Sequence, residues 1–510
     1  MKAARWTLVI ASIVVTTTLI ANNLSAQDIS PTSGKHQTYS VVVLPPDGGP
    51  DSYLAGYLFY APLTDGDTLG VAGDTSTPNA YNSYTWNDGK LTYFQALPQL
   101  PNLTGTHTLI NWINQWGLAA GFGTRTNPNT GVSFDNAAIW FPNGQILPLK
   151  TPEGGQSHAV WINNLGQASG WIAPNSIVDP CSFGVFPSGI GLQSQAVVWE
   201  FGFVQYLGTL GGTNSYGEFI NDLGQISGHS QTSNVVNPDT HCPPFDPFVW
   251  QNGKMIDINP GNFGGAQGGT NFLNNHGQAV GFGTLPGEIA AHPFLWSGGK
   301  LTDLYYVGNL GGSGGGSATN VNEEGHVIGN SLLPGDQAFH AVLWRNGEFT
   351  DLGTVDGDAC SLPYRINSRD QIVGQSVSCD FSTTHAFLWE DGEILDLNTL
   401  IPADSGLALM SADWITDDGV IAAQGVLTQG SNSGATRAVL LIPSGEWKDR
   451  ADTASAAKAK GGLTASGADD AMKGTQKRDL IRTPDGRLNP MLMRPVDPAV
   501  LVGKGQKRQD

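Results

Sequence analysis

Apolar residues in this chain come in short runs that are broken again and again by Gly, Asn and Asp. The runs "FVW" (248–250), "FLW" (294–296), "AVLW" (341–344) and "FLW" (387–389) are apolar at consecutive positions, where a strand with one face in water would alternate. Such strands need cover on both faces. Each is followed by a two-residue turn: Asn252-Gly253, Gly298-Gly299, Asn346-Gly347 or Asp391-Gly392. A further short strand comes next every time, as "MIDIN" at 255, "LTDLY" at 301, "FTDLG" at 349 and "ILDLN" at 394.

Ahead of these hairpins lies a second repeated phrase. It reads "INNLGQASG" at 162, "INDLGQISG" at 220, "LNNHGQAVG" at 273, "VNEEGHVIG" at 321 and "INSRDQIVG" at 366. Its first two residues end a short strand, its middle is a tight turn whose Gly can adopt a left-handed conformation, and its end is the returning strand. Two hairpins per unit make four antiparallel strands. The tryptophans before the outer turn, Trp86, Trp140, Trp199, Trp250, Trp296, Trp344 and Trp389, are spaced by 54, 59, 51, 46, 48 and 45 residues. Four strands at this period describe a β-propeller blade. Stacked blades bury each sheet between two neighbours, which explains both the two-sided apolar strands and the repetition, since one blade cannot bury its faces alone.

The inner phrase recurs at 113, 162, 220, 273, 321 and 366, with weaker copies at 63 ("LTDGDTLGVAG") and 415 ("ITDDGVIAAQG"). The pattern therefore predicts an all-β, eight-bladed propeller over residues 38–443, or seven blades if the copy at 63 is not a blade. The last unit ends at "AVLLIP" (438–443), one strand short, whereas "TYSVVVLP" (38–45) is a strand without a blade. The N-terminal strand is expected to complete the final blade, closing the ring and removing its exposed edges.

Composition agrees with this picture. Gly contributes 67 residues and charged residues only 14%, against about 25% in an average domain. The formal charge of −19 divides unevenly: the segment from Ser444 onward holds 13 Lys/Arg and 9 Asp/Glu, leaving 12 and 35 for residues 1–443, a net of −23. An acidic body repels phosphate backbones, which argues against nucleic acid as a partner. Residues 1–26 have Lys2 and Arg5, an apolar stretch from Trp6 to Ala21 and a small-residue exit at Ser25-Ala26, the layout of a secretory signal peptide. An uncleaved anchor is the alternative. Residues 444–510 are rich in Ala, Gly and Lys without hydrophobic period and read as a disordered tail. A secreted or periplasmic monomer with no stable membrane span is expected.

Four cysteines in an exported chain suggest two disulfides. Cys181 and Cys242 fall in long inserts after the second strand of adjacent units, 11 residues past Gly170 and 14 past Gly228. Cys360 precedes the first strand of its blade and Cys379 follows the second. These positions predict Cys181–Cys242 and Cys360–Cys379.

The combination of "IN-x-x-GQ-x-x-G", "HAVLW" (340–344), "HAFLW" (385–389) and "LGTLGG" (207–212) resembles the HAF-type repeat of extracellular bacterial proteins over residues 38–443. The resemblance implies secretion and a repeat architecture, and no particular activity. WD-repeat and kelch propellers have similar periods, but their dipeptide and glycine signatures are absent.

Candidate chemistry is sparse. No nucleophile elbow, zinc-helix motif or P-loop is present, and no cofactor or metal site is expected. The repeated tryptophans each hide about 150–250 Å², worth roughly 4–6 kcal/mol, so inter-blade packing is the expected role. Asp257, Asp303, Asp351 and Asp396, and His292, His340 and His385, recur on separate blades and are expected to serve structural hydrogen bonds. The long inserts 171–195 and 229–246 are the candidate binding surface, with Trp171, Asn175, Phe183, Phe186, Asn234 and Phe245 as candidate contacts. The leading expectation is a non-enzymatic propeller that binds a glycan or protein through one loop-rich face. A polysaccharide hydrolase or lyase with carboxylates at the central channel, and an envelope spacer, are the alternatives.

Overall fold

In the computed structural model, residues 36–444 are described apart from 46–50, 57–62, 65–67, 75–80, 88, 101–103, 154, 175–176, 180, 182–190, 239, 260 and 289. The signal-peptide reading and the tail beyond Ser444 lie outside the described residues. The chain divides at Thr38, and the repeats all belong to the second unit. Within it, the two hairpins of each repeat pair into one antiparallel meander, giving eight four-stranded sheets among the described residues. They form the ring of an eight-bladed β-propeller. The copy at 63 is a true blade, with strands Ser52–Leu54, Leu69–Asp74, Tyr81–Asn87 and Lys90–Tyr93.

Closure follows the sequence expectation. Strand Tyr39–Val43 pairs antiparallel with Thr436–Pro443, in register Tyr39 to Pro443 and Val43 to Val439, and so becomes the outer strand of blade 8. The joint to blade 1 is tied by Ser52, whose hydroxyl donates to Leu44 O at 3.0 Å and accepts from Ala438 N at 3.2 Å. Because each sheet is a meander, the turns after first and third strands share one face of the disc. Inserts after the second strand and crossovers between blades share the other. Helix is confined, among the described residues, to two single turns at Leu304–Tyr306 and Leu397–Thr399.

The repeated inner phrase has a physical meaning at nearly every position. Its Asn is a clasp between blades. Asn114, Asn163, Asn221, Asn274, Asn322 and Asn367 each donate through Nδ2 to the main-chain carbonyl of the equivalent residue one blade on, at 2.9–3.1 Å. Each also accepts at Oδ1, at 2.8–3.0 Å, the N–H four residues on in its own turn. The chain of clasps runs from blade 2 to Thr416 in blade 8. The last Gly of the phrase lies where the strand beside it approaches closely: a Cβ at Gly228 would sit 1.9 Å from Tyr216 O. The strand beside it carries a bulge in the same place, between Gly217 and Phe219 in blade 4 and at equivalent positions in blades 2, 3 and 5–8. A bulge re-aims a side chain, and here it decides what fills the axis.

The repeated tryptophans are packing residues, as expected. Trp86, Trp140, Trp199, Trp296, Trp344 and Trp389 are buried. Three of them also donate through Nε1 to a carbonyl of the preceding crossover: Trp140 to Gln95 O at 3.0 Å, Trp199 to Lys150 O at 3.0 Å and Trp344 to Gly308 O at 2.9 Å.

Candidate functional site

The residue after each bulge points at the ring's centre, and these residues fill it. Trp112 of blade 2 stacks on Trp161 of blade 3, with centroids 3.6 Å apart and planes 12° off parallel. Trp112 also meets Trp414 of blade 8 at 4.8 Å, a contact between blades that are not neighbours. Trp161 packs against Phe219 and Phe272 of blades 4 and 5 at 5.1 and 6.0 Å. From blade 7 the Arg365 guanidinium lies 3.9 Å over Trp414 and 4.8 Å from Phe272, and donates to Asn320 Oδ1 of blade 6 at 3.1 Å. A cation held between aromatic faces is stabilised by the ring quadrupoles. Among the described residues the axis is thus an aromatic plug with one guanidinium.

Two carboxylates adjoin the plug along the chain. Glu218 and Asp413 precede plug residues but turn to the second strand of their own blades. Glu218 lies 3.3 Å from His229, and Asp413 accepts from Gln424 Nε2 at 3.1 Å. Burial pushes the Asp413 carboxyl up to about 6. Among the described residues no group of three His, Cys, Asp or Glu side chains is arranged to hold a metal.

The recurring Asp and His side chains are local. Asp257, Asp303, Asp351 and Asp396 each accept the N–H two residues on, at 2.8–3.0 Å, and so cap the start of the crossover. His292 pairs with Asp303 at 2.8 Å and His340 with Asp351 at 2.9 Å, both within one blade. His385 instead takes Asp358 at 2.8 Å.

On the insert face both disulfides join as expected, with Cα separations of 5.5 Å for Cys181–Cys242 and 5.2 Å for Cys360–Cys379. Trp171 and Phe245, expected as surface contacts, lie instead within strands in a buried layer with Tyr216 and Leu192, 4% and 1% exposed. Strand pairing draws them under the inserts. Asn234 is exposed and accepts from the Thr213 hydroxyl at 2.8 Å. Asn175, Phe183 and Phe186 lie outside the described residues.

A site that the sequence reading did not single out opens between blades 4 and 5. It is a cleft of about 620 Å³ that includes Gln225, Gln251, Asp257, Asn262, His276 and Lys300, with Trp296, Ile256 and Leu301 as its apolar walls. Gln225 Nε2 donates to Gln251 Oε1 at 2.8 Å, while its own Oε1 accepts from the clasp residue Asn221 at 2.8 Å, so the cleft wall is anchored to the ring of clasps. The Gly298-Gly299 turn adds no side chain to the rim, and its φ angles of 58° and 85° suit glycine. Asp257 is linked to Asp246 through Asn259, which donates to both. Burial, with the Asp257 charge beside it, pushes the Asp246 carboxyl up to about 7, and burial also raises Asp257. Two sequence signals marked this place: "SGGK" where the outer turns of blades 4, 6 and 7 carry Asn or Asp, and "DPFVW" (246–250) where later blades begin the phrase with His.

No family model matches the chain, and no curated protein matches it. Among solved structures it is similar to the β-propeller domain of the Trilobed protease from Pyrococcus furiosus, at 13% identity and TM-score 0.37, covering 66% of this chain and 95% of that one. It is similar also to an acylaminoacyl peptidase of Pyrococcus horikoshii (11%, TM-score 0.37) and to dipeptidyl peptidase 4 of Porphyromonas gingivalis (9%, TM-score 0.41), covering 71% of this chain in each case. The match spans 56% of the length of each of these two peptidases. Likeness at this level carries no functional argument.

Proposed function

We propose that the protein is an exported, non-enzymatic propeller of the HAF-type repeat family that binds a neutral carbohydrate in the cleft between blades 4 and 5. The lining supports this reading. Gln225, Gln251 and Asn262 offer amides that both donate and accept, as sugar hydroxyls do, and Trp296 with Leu301 supplies apolar surface. The volume falls in the range of about 300–1,000 Å³ usual for small-ligand sites. Glycoside hydrolysis needs two carboxyls flanking the bond, whereas among the described lining residues Asp257 is the single carboxylate. Two formed disulfides are compatible with an oxidising compartment.

The test is retention of the protein on insoluble polysaccharides and a glycan array, with reducing-sugar release followed in parallel. Binding without release, lost in Gln251→Ala, is expected. Release of sugars would replace this reading with a hydrolase. Silence across the array would replace it with a protein ligand or a spacer role.

A further inference from the structure

Blades 5 and 6 hold a His–Asp pair where blade 4 holds two acids. In blade 5 His292, two residues before Phe294, pairs with Asp303 of the fourth strand at 2.8 Å. In blade 6 His340 pairs with Asp351 in the same way at 2.9 Å. The matching positions in blade 4 are Asp246, two residues before Phe248, and Asp257, which stands opposite Phe248 in the strand register. Replacing the imidazole by a carboxylate leaves two acids near enough for the Asp257 charge to act on Asp246. Among the described residues neither has a Lys, Arg or His partner. Its neighbour Asn259 is 2% exposed and binds both acids, Nδ2 donating to Asp246 Oδ1 at 3.1 Å and the main-chain N to Asp257 Oδ1 at 2.9 Å. The Oδ1 of that same amide is buried and has no hydrogen-bond partner. An orphaned acceptor of this kind is costly, and native proteins rarely keep one without a reason.

We infer that Asp246, Asp257 and the amide oxygen of Asn259 form a site for a hard divalent cation, calcium in particular, in the wall of the cleft. All the donors are oxygens, which excludes the softer metals that prefer sulfur and imidazole. Calcium accepts carboxylates, an amide carbonyl and waters in a flexible shell of about 6–8 oxygens. Asp257 and Asn262 line the cleft, so waters can complete the shell and the ion can enter. The cation takes the place of the imidazole that pairs with the aspartate in blades 5 and 6. This holds whether or not the cleft takes a carbohydrate.

The test is calcium titration of the chelator-stripped full chain by calorimetry, with thermal unfolding followed in parallel. The intact protein should bind one calcium with a Kd between about 10⁻⁶ and 10⁻³ M, and its melting temperature should rise with calcium. Asp246→His rebuilds the pair of blades 5 and 6, so it should fold without calcium and lose calcium binding by at least about 30-fold, near 2 kcal/mol. Asp257→Asn provides an independent variant and should lose binding equally. No calcium heat in the intact protein, or undiminished binding in both variants, would overturn the inference. Glycan retention by Asp246→His separates this result from the cleft's own reading.

Discussion

The clasp asparagines can be tested at Asn221, where every bond is explicit. Its Nδ2 donates to Asn274 O of the next blade at 3.0 Å and to Gln225 Oε1 at 2.8 Å. Its Oδ1 accepts from Leu223 N at 3.1 Å and Gln225 N at 2.9 Å. Asn221→Ala removes four hydrogen bonds from a side chain only 4% exposed. At about 1 kcal/mol each net, with water reaching the turn's own N–H groups more easily than the carbonyl between blades, the loss should be about 3–4 kcal/mol. Asn221→Asp is the sharper variant. It keeps both acceptor bonds in the turn but loses both donations, and it sets a carboxylate oxygen against two acceptors. If the clasp between blades matters, Asp should cost at least as much as Ala. If only the turn matters, Asp should be nearly neutral. Urea unfolding at constant slope reads the difference, and Leu223→Ser, at a residue 67% exposed in the same turn, is the control. A loss under about 1 kcal/mol for Asn221→Ala, or a neutral Asn221→Asp, refutes the clasp.

Other perturbations give further expected outcomes. Asp413 has its folded pKa raised from 3.8 to about 6, so the folded state holds the proton more tightly than the unfolded chain. Its contribution is full below about pH 4 and is lost as pH rises through about 6, a change of roughly 3 kcal/mol. Asp413→Asn should flatten that part of the stability profile between pH 4 and 7, measured as urea midpoints against pH. Removing Cys360–Cys379, whose partners are 19 residues apart, should cost about 3 kcal/mol, and removing Cys181–Cys242, 61 apart, about 4 kcal/mol. Replacing each cysteine pair by serine separately, and comparing each variant with the oxidised protein in the same unfolding assay, gives the two values.

The ring, its eight blades and its closure were legible because the Trp-to-Trp spacing recurs six times and leaves one strand over at the N-terminal side and one short at the last unit. The disulfides were legible because the repeat gave each cysteine an address. The axial plug was not. Trp112, Phe219, Asn320 and Arg365 share a position but no chemistry, so no motif announces them, and the bulge that aims them is a backbone feature. Equivalent positions on outer strands diverge, which is why His292 and His340 remain separate; equivalent positions on inner strands converge. The insert surface was misjudged at Trp171 and Phe245 because an aromatic beside a loop looks exposed until strand pairing shows it beneath. Asp246 could have been found by aligning third strands and asking which one carries an acid where blades 5, 6 and 7 carry His.

The closure strand also sets a schedule. Tyr39–Val43 is among the first strands to be made, yet its partner Thr436–Pro443 is the last, and the Ser52 to Ala438 tie across the joint spans 386 residues. At synthesis rates of about 5–20 residues per second, the first strand waits about 20–80 s with an unpaired apolar edge. Any chain stopped short of residue 436 leaves that edge unpaired for good. The hazard therefore belongs to the nascent chain rather than to the finished ring, and a chaperone or an export channel that delays folding until the last strand arrives would be its natural remedy.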